Sequence, residues 1–368
     1  MSSILIVSDL HVGDRGRSDV LRREGIAGTL LDAVERVDSV VLLGDAIELR
    51  NRPARDALAA SEPFYRALGE ALAGKPLVIV AGNHDHTLVE RFLARHDEPL
   101  GLEQRFTPKK ASDLAAALAE QLGSGADVEF AYPGVWLRED VYAMHGHYLD
   151  VHMTVPTFER LAIALSGRLA LDRSRPWNAV ACPDDYEALL APVYAWNFAA
   201  AQSGRTGQGP AGGAANRMWR TLRAGRSGGL RAQSLASAFP LAVRALNAAG
   251  FGPLSAELTP AELRRAGLLA MSEVVERLRI RARHVIFGHT HRAGMLEGDS
   301  LPEWLTPNGV QLHNVGSWVF SETLVSGGDS ESPYWPGGAV LIENGGPPQL
   351  LRLLASRPAA QLSALRAR

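Results

Sequence analysis

The sequence has one cysteine, Cys182, among its 368 residues, so the chain cannot form a disulfide bond with itself. A disulfide framework is thereby excluded, and a buried free thiol is the role expected for this residue. No charge of one sign dominates either, since 38 basic residues face 40 acidic ones. This balance provides no strong overall field that would favour nucleic acid as a partner.

Long hydrophobic runs are missing as well. No uninterrupted stretch of about 18 apolar residues occurs, so no transmembrane helix is predicted. Strand-like sequence begins at Ile4 without a preceding basic region and apolar segment, so no secretory signal is predicted. The expected location is the cytoplasm, with peripheral membrane contact as an alternative. The composition, with 46% hydrophobic and 21% charged residues, is that of a globular protein.

Strand-like and helical segments alternate over residues 1–148, and strand-like segments return after residue 276. This alternation predicts an α/β domain made of residues 1–148 and 276–368. The predicted strands are 4–7, 40–43, 77–80, 141–144, 284–287, 310–315, 339–343 and 350–354. The predicted helices are 20–36, 54–73, 87–95 and 111–122.

Residues 149–275 have a different texture, rich in alanine, leucine and arginine. Helical spacing predicts helices over 158–169, 184–201 and 230–249, with flexible loops at 203–213 and 224–229. We therefore predict a mainly helical cap inserted into the α/β domain. Its large apolar residues either line a slot for a hydrophobic ligand or form the core of the cap. They are Phe158, Leu165, Trp177, Tyr194, Trp196, Phe198, Trp219 and Phe239.

Histidine and aspartate recur directly after five of the predicted strands. The motifs are Asp9-Leu10-His11, Gly44-Asp45, Gly82-Asn83-His84-Asp85, His145-Gly146-His147 and Gly288-His289-Thr290-His291. The carboxyl ends of parallel strands meet at one edge of a sheet, where open α/β sheets bind their ligands. Manganese, iron and zinc accept imidazole nitrogen and carboxylate oxygen in one site. The pattern therefore predicts a two-metal centre.

Together the motifs resemble those of the calcineurin-like metallophosphoesterases, over about residues 1–148 and 276–343. The resemblance implies a four-layer α/β sandwich, in which helices flank two central β-sheets, here with a large helical cap. It also implies a dinuclear phosphoesterase in which a metal-bridged hydroxide attacks phosphorus in line. Two divalent cations are expected, with manganese as the first choice and iron or zinc as alternatives, because these ligand types discriminate weakly between metals.

Seven positions match the metal ligands of that family. The resemblance assigns Asp9, His11 and His291 to one metal, Asn83, His145 and His289 to the other, and Asp45 to a bridging position. His84 would contact the phosphoryl oxygen and protonate the leaving group. Asp85 would orient either His84 or the adjacent loop, and Glu48 would support the ligands.

Two arginines, Arg50 and Arg52, follow on a loop expected to face the site. Guanidinium groups bind phosphate well, although exposed surface arginines would be an equally good interpretation. Structural or surface roles are expected for the other histidines near the motifs, which are His86, His147, His152 and His313.

The substrate class is less sharply indicated, because the same metal chemistry serves monoesters, diesters and pyrophosphates. Ala81 stands where protein serine/threonine phosphatases carry arginine, which argues against that branch. Ser8-Asp9-Leu10-His11 and Gly288-His289-Thr290-His291-Arg292 are similar to the UDP-2,3-diacylglucosamine pyrophosphohydrolase branch. The chain departs from that branch in two ways, since His84 stands where many members have arginine, and the insertion is longer.

We therefore expect a phosphodiesterase or pyrophosphatase that acts on a phosphorylated small molecule, either nucleotide-linked or lipid-linked. A phosphomonoesterase is the main alternative. A non-catalytic metal-stabilised scaffold is disfavoured, because every ligand position of the family pattern is filled. A nuclease of the same superfamily would need a basic surface facing DNA, which is not obvious in the sequence.

Overall fold

A computed structural model describes residues 2–170, 176–203, 230–257, 259–322, 324–325 and 329–363. The chain divides into two compact units, Met1–His147 with Ile280–Arg368, and Tyr148–Arg279. Trp219, the predicted loop 224–229 and residues 204–213 of the other predicted loop lie outside the described residues. That the second unit acts as a cap stays a prediction.

The first unit has an α/β fold, as predicted, with two sheets that share one long strand. Its strands are β1 (Ser3–Val7), β2 (Ser39–Leu43), β3 (Pro76–Val80), β4 (Glu103–Phe106), β5 (Asp127–Arg138), β6 (Val141–Met144), β7 (His284–Phe287), β8 (Gln311–Asn314), β9 (Gly338–Glu343) and β10 (Gln349–Arg352). The strand order is β10-β9-β1-β2-β3-β5-β6-β7-β8, with β4 beside β5. The first half of β5 pairs in parallel with β3, and its second half pairs antiparallel with β6.

Parallel pairing brings the ends of the motif-bearing strands together. β1 is parallel to β2 and β2 to β3 in the first sheet, while β6 is parallel to β7 in the second. The strand interiors are buried and apolar, as Ile6, Val41, Val80 and Ile286 illustrate. Each predicted motif follows the carboxyl end of its strand, because such buried strands leave their polar residues to the loops beyond.

The helices of this unit are α1 (Ala27–Glu35), α2 (Ala54–Leu72), α3 (Glu90–Arg95), α4 (Pro108–Ala111), α5 (Asp113–Leu122) and, at the carboxyl end, α10 (Ala359–Leu362). Single 3-10 turns occupy Val20–Arg22, His86–Val89, Gly123–Gly125, His147–Val151 and Leu301–Trp304. The predicted single helix over 20–36 is wrong, because Gly25 interrupts it with a φ of 72°. The predicted helix 111–122 begins at Asp113 instead, because the Ser112 hydroxyl caps it by accepting from the Ala115 amide at 3.0 Å.

The second unit is helical over its described residues. It contains α6 (Phe158–Ala170), α7 (Pro183–Gln202), α8 (Leu230–Ala248) and α9 (Pro260–Arg277). α9 was not predicted, although Thr259 marks its start by accepting from the Glu262 amide at 3.1 Å. Cys182 is exposed at the N-cap of α7, so its predicted burial is wrong. Within the described parts of the chain, no helix has both the length and the apolar character needed to cross a bilayer.

The large apolar residues predicted for the second unit differ in burial, and Phe198 and Phe239 are half-buried. Trp177 and Tyr194 are buried, and the Arg160 guanidinium lies 4.3 Å from the centre of the Trp177 ring. These side chains therefore belong to the core of the unit. Trp196 and Leu165 are instead 52% and 51% exposed, so neither contributes much to that core.

Candidate metal centre

The loops that carry the predicted ligands are held in an unusual backbone conformation. Left-handed φ angles are uncommon for residues other than glycine. Five of the seven predicted ligands adopt them, with φ of 54°, 46°, 52°, 65° and 58° at Asp9, His11, Asp45, His289 and His291. Such residues cost roughly 1 kcal/mol or more each and concentrate at functional sites.

Two glycines of the motifs let the ligand loops approach one another closely. A Cβ atom at Gly44 would lie 2.2 Å from Nδ1 of His145, and one at Gly82 would lie 2.3 Å from Oδ1 of Asp45. Any side chain at either position would therefore displace a predicted ligand. Gly44 also has a φ of 84°, which favours glycine independently of the available space.

Asp9, His11 and His291 form a first cluster of donor atoms. Nε2 of His11 lies 3.1 Å from Nε2 of His291, and Oδ1 of Asp9 lies 3.2 Å from Nε2 of His291. The other oxygen of Asp9, Oδ2, accepts from the Ser8 hydroxyl at 2.6 Å and the His289 amide at 2.9 Å. Oδ1 is buried and accepts no hydrogen bond, so it is the atom that a cation would satisfy.

Asn83, His145 and His289 form a second cluster. The amide oxygen of Asn83 lies 3.2 Å from Nε2 of His145 and 3.1 Å from Nδ1 of His289. Oδ2 of Asp45 lies 3.4 Å from Nε2 of His145 and 3.5 Å from Nε2 of His11. Asp45 thus stands between the two clusters, at the position where a bridging carboxylate is required.

Hydrogen bonds outside the clusters determine which imidazole nitrogens face inward. Nδ1 of His11 lies 3.0 Å from Oε2 of Glu48, and Nδ1 of His145 lies 2.9 Å from the Leu43 carbonyl oxygen. Since both partners can only accept, Nδ1 carries the proton in each ring. Nε2 then presents its lone pair to the cluster, as in metal-binding histidines.

The Asn83 amide can be oriented in two ways. Its oxygen can face His145 and His289, which is the orientation of a metal ligand. Turned over, its nitrogen would donate to His145, His289 and Asp45, and its oxygen would accept from Arg50 at 2.8 Å. When the imidazoles are neutral, the inward oxygen faces only lone pairs and a carboxylate, so a cation would stabilise that orientation.

The pKa shifts show how strongly these groups interact. Burial lowers the pKa of His145, but Asp45 and Asp9 outweigh it and raise the value to about 9. Burial also lowers the pKa of His11, but the nearby carboxylates of Asp9 and Glu48 outweigh it and raise the pKa well above its ordinary value. Without a bound cation, the imidazoles of His11 and His145 therefore take up protons, and a divalent cation would displace these protons on binding. The donor types and their placement fit a pair of divalent cations.

His84 lies beside the clusters with its ring directed to a different partner. Its Nδ1 lies 2.6 Å from Oε2 of Glu48, and its backbone amide donates to Oδ1 of Asp45 at 2.8 Å. Burial lowers the pKa of His84, and Glu48 and Asp45 oppose that shift without reversing it. Donor atoms of His11, Asp45 and His84 also lie close enough together to group around an ion.

Asp85 connects two loops instead of contacting the His84 ring. Its carboxylate accepts from the Gly82 amide at 2.6 Å, the Ala46 amide at 2.7 Å and the Asp45 amide at 3.3 Å. Asp85 was predicted to orient either His84 or the adjacent loop, and these contacts fit the second role. Burial, followed by the charge of Asp45, raises the pKa of Asp85 to about 6.

The two predicted substrate arginines lie in different places. Nη1 of Arg50 lies 2.8 Å from the outer amide atom of Asn83, so Arg50 stands beside a predicted metal ligand. Arg52 instead donates from Nη1 to the Gly13 carbonyl at 2.7 Å. Of these two arginines, Arg50 is therefore the one whose side chain contacts a member of the clusters.

Two residues outside the five motifs support the ligand-bearing loops, and Tyr65 carried no clear signal in the sequence. The hydroxyl of Tyr65 on α2 donates to the Ala46 carbonyl at 2.7 Å, next to Asp45, the predicted bridging residue. The Asn314 amide nitrogen donates to the Gly288 carbonyl at 3.0 Å and to the Thr290 hydroxyl at 2.9 Å. Both contacts hold ligand-bearing loops, and both come from residues distant in sequence.

The remaining histidines named above contact protein groups. Nε2 of the buried His147 lies 3.3 Å from the Tyr132 hydroxyl, and the ring centres of His86 and Tyr132 are 5.9 Å apart. His313 lies on β8, where its Nε2 is 3.1 Å from Nδ1 of His284. In the second unit, Nε2 of His152 lies 2.7 Å from the Tyr186 hydroxyl.

Comparison with known proteins shows a family match over half of the chain. A model of the calcineurin-like phosphoesterases matches residues 2–187. The chain is 36% identical to one of the subunits of the nuclease SbcCD of Bacillus subtilis (strain 168) over 90 residues, which is 23% of this chain and 22% of that relative. A crystal structure of a dimetal phosphatase from Danio rerio is similar with a TM-score of 0.35 and 15% identity, covering 92% of this chain and 91% of that one.

Proposed function

The chain belongs to the calcineurin-like phosphoesterase family, hydrolases of phosphate esters, and from this premise we propose that it is a phosphodiesterase or pyrophosphatase. Its site residues would be the seven predicted ligands, with His84 as the proton donor and Arg50 as a substrate contact. The proposed substrate is nucleotide-linked or lipid-linked, and the proposed metal is manganese.

The observation that carries the proposal is the contact between His84 and Glu48 at the edge of the clusters. Nδ1 of His84 is engaged by the Glu48 carboxylate at 2.6 Å, which leaves Nε2 to exchange a proton with substrate. The Glu48 carboxylate opposes the lowering of the His84 pKa by burial, so it favours the protonated ring that would donate to the leaving oxygen. Two bound cations would activate water as the nucleophile and neutralise charge at phosphorus.

The charge around the site favours a diester or pyrophosphate over a monoester. A phosphomonoester carries about −1.5 to −2 charge near neutral pH, whereas the phosphorus of a diester carries about one negative charge. Arg50 stands at the Asn83 side chain, and the residue before Gly82 is Ala81, whose methyl group is buried. One guanidinium beside two cations matches the lower charge. A relative named as a nuclease, an enzyme class that cleaves phosphodiesters, supports the same choice.

Apolar surface on the second unit supports the lipid-linked class of substrate. Four large apolar side chains there are between 51% and 64% exposed: Leu165, Trp196, Leu241 and Leu269. Such side chains cost solvation free energy unless a ligand covers them. The resemblance to the UDP-2,3-diacylglucosamine pyrophosphohydrolase branch points to the same class.

A comparison of two model substrates tests the proposed reaction. Metal-stripped protein reloaded with manganese, iron or zinc is assayed with bis-p-nitrophenyl phosphate and p-nitrophenyl phosphate. We expect preference for the diester, and about 10²–10⁴-fold slower turnover with full metal content in His84→Ala. Preference for the monoester would identify a phosphomonoesterase instead. Parental turnover in His84→Ala would exclude the proton-donor role.

The substrate class is tested with a series of UDP-linked substrates that differ only in acyl-chain length. We expect kcat/KM of the wild-type protein to rise with acyl-chain length, because each buried methylene adds to the stabilisation of the bound substrate. Equal kcat/KM values across the series would exclude the lipid-linked class.

A further inference from the structure

A cavity of about 560 Å³ lies in the first unit, between the loop that follows the first motif and helix α10. Its volume falls within the range of small-molecule binding sites, about 300–1,000 Å³. None of its lining residues belongs to the predicted metal centre. Its charged lining residues are four arginines, Arg17, Arg22, Arg23 and Arg357, and two acids, Asp19 and Glu24.

One arginine of the cavity is already neutralised. Arg22 makes a two-point contact with the Asp19 carboxylate and donates to the Asp14 carbonyl oxygen. Oδ2 of Asp19 also accepts from the Gly13 amide at 3.0 Å. Arg22 and Asp19 therefore form the structural floor of the cavity. Among the described lining residues, three guanidinium groups remain, and the carboxylate that opposes them is the exposed one of Glu24.

The remaining arginines have incomplete hydrogen bonding. Arg23 donates from Nη2 to the Arg17 carbonyl at 2.8 Å, while its Nη1 is buried without a hydrogen-bond partner. Nη2 of Arg357 contacts only neutral oxygens, the Thr29 hydroxyl at 3.3 Å and the Gly25 carbonyl at 3.5 Å. Within the described part of the chain, the hydrogen-bond partners of Arg23 and Arg357 are all neutral oxygens, so no carboxylate there balances these two positive charges and the cavity favours an anion.

We propose that this arginine pocket, formed by Arg17, Arg23 and Arg357, binds a phosphoryl group. Guanidinium groups bind tetrahedral oxyanions through paired, charge-assisted hydrogen bonds, which suits a cavity lined by three such arginines. The ligand is free phosphate or a small phosphorylated molecule, since the cavity is much larger than one phosphate ion. The site is separate from the metal centre, but Arg22, Asp19 and Gly13 connect its floor to the loop of His11.

Equilibrium dialysis of the manganese-loaded protein with labelled inorganic phosphate tests the proposal. We expect two phosphate ions per wild-type chain, one at the metal centre and one in the arginine pocket. Arg23→Gln/Arg357→Gln should bind one fewer, with unchanged hydrolysis of the model diester. This proposal rests partly on the proposed function, but the two can fail separately. If only the metal centre fails to bind phosphate, wild type binds one ion and this variant none; if only the arginine pocket fails, wild type and variant each bind one.

A charge reversal at the exposed Arg17 provides a second variant that is expected to fold. Arg17→Glu should weaken phosphate binding at the pocket at least tenfold, whereas Arg55→Glu, at a 91% exposed arginine of α2, should leave it unchanged. Displacement of the pocket phosphate by AMP would identify a site for phosphorylated small molecules, and lack of displacement a site for free phosphate. Equal stoichiometry and affinity in wild type, Arg17→Glu and Arg23→Gln/Arg357→Gln would overturn the proposal.

Discussion

Glu48 and His84 are joined by a contact of 2.6 Å between Oε2 and Nδ1. The same carboxylate oxygen lies 3.0 Å from Nδ1 of His11. Burial raises the pKa of Glu48, but the charge of His84 and the hydrogen bond to His11 hold it well below its ordinary value. One ionised carboxylate therefore orients both the proposed proton donor and a predicted metal ligand.

Replacement of Glu48 should impair turnover through His84. In Glu48→Gln the negative charge beside the ring is lost, so the pKa of His84 falls and the alkaline limb of the pH–rate profile moves to lower pH. We expect kcat to decrease about 10–100-fold, as for other residues that orient metal-site side chains. Glu48→Asp keeps the charge and should restore part of the rate. A profile with an unchanged alkaline limb would show that Glu48 has only a structural role.

Asp45 should be required for both metals at once, because its Oδ2 lies within 3.5 Å of a histidine of each cluster. In Asp45→Asn the bridging charge is lost, and we expect metal content well below two ions per chain and activity reduced at least about 10³-fold. Metal analysis after gel filtration measures the first and diester hydrolysis the second. Asp56→Asn, at a partly exposed carboxylate of α2, is the control. Two tightly held ions in Asp45→Asn would remove the bridging assignment.

The two loop arginines should give different phenotypes. Arg50→Gln removes a cation beside Asn83, so KM for the diester should rise about tenfold with little loss of stability. Arg52→Gln removes the hydrogen bond to the Gly13 carbonyl, so it should lower the free energy of unfolding by about 1–3 kcal/mol and leave KM unchanged. Urea unfolding and steady-state kinetics on both variants measure the difference. Identical effects would contradict the placement of Arg50 as a substrate contact.

Elements that can be identified from their own residues and immediate neighbours were predictable from the sequence. The motif strands are short, apolar and directly followed by polar residues, so their ends agree with the structure to within one residue; β6 and β7 agree at both ends. β5 was missed because Pro133 and Gly134 interrupt its apolar pattern where it passes from one sheet to the other. Pattern analysis treats such an interruption as a loop, although tertiary pairing keeps the strand continuous.

The finer arrangement of the site depends on contacts between residues distant in sequence. The sequence left open whether Asp85 orients His84 or the adjacent loop, and the Asp85 carboxylate turns to the amide of Ala46, 39 residues away. Tyr65 reaches the same loop from a helix, and its sequence environment is that of an ordinary core residue. Adjacency in a motif therefore predicts which residues share a site, whereas their hydrogen-bond partners follow from the packing of the loops.

Acid should destabilise the first unit through His313. Burial lowers the pKa of His313 from its ordinary value of 6.5 to about 4, and its Nε2 contacts His284 at 3.1 Å. Between these two pKa values the unfolded chain takes up a proton that the folded chain does not. Stability from the neutral ring is thus fully present above pH 6.5 and is lost as pH falls to 4, by about 3 kcal/mol in total. Urea unfolding of wild type and His313→Gln is compared between pH 7 and pH 4 in EDTA, so that loss of bound metal does not affect the comparison. The free energy of unfolding of His313→Gln should decrease less with falling pH, because this variant lacks the titrating ring. Parallel curves for the variant and wild type would place the acid sensitivity elsewhere.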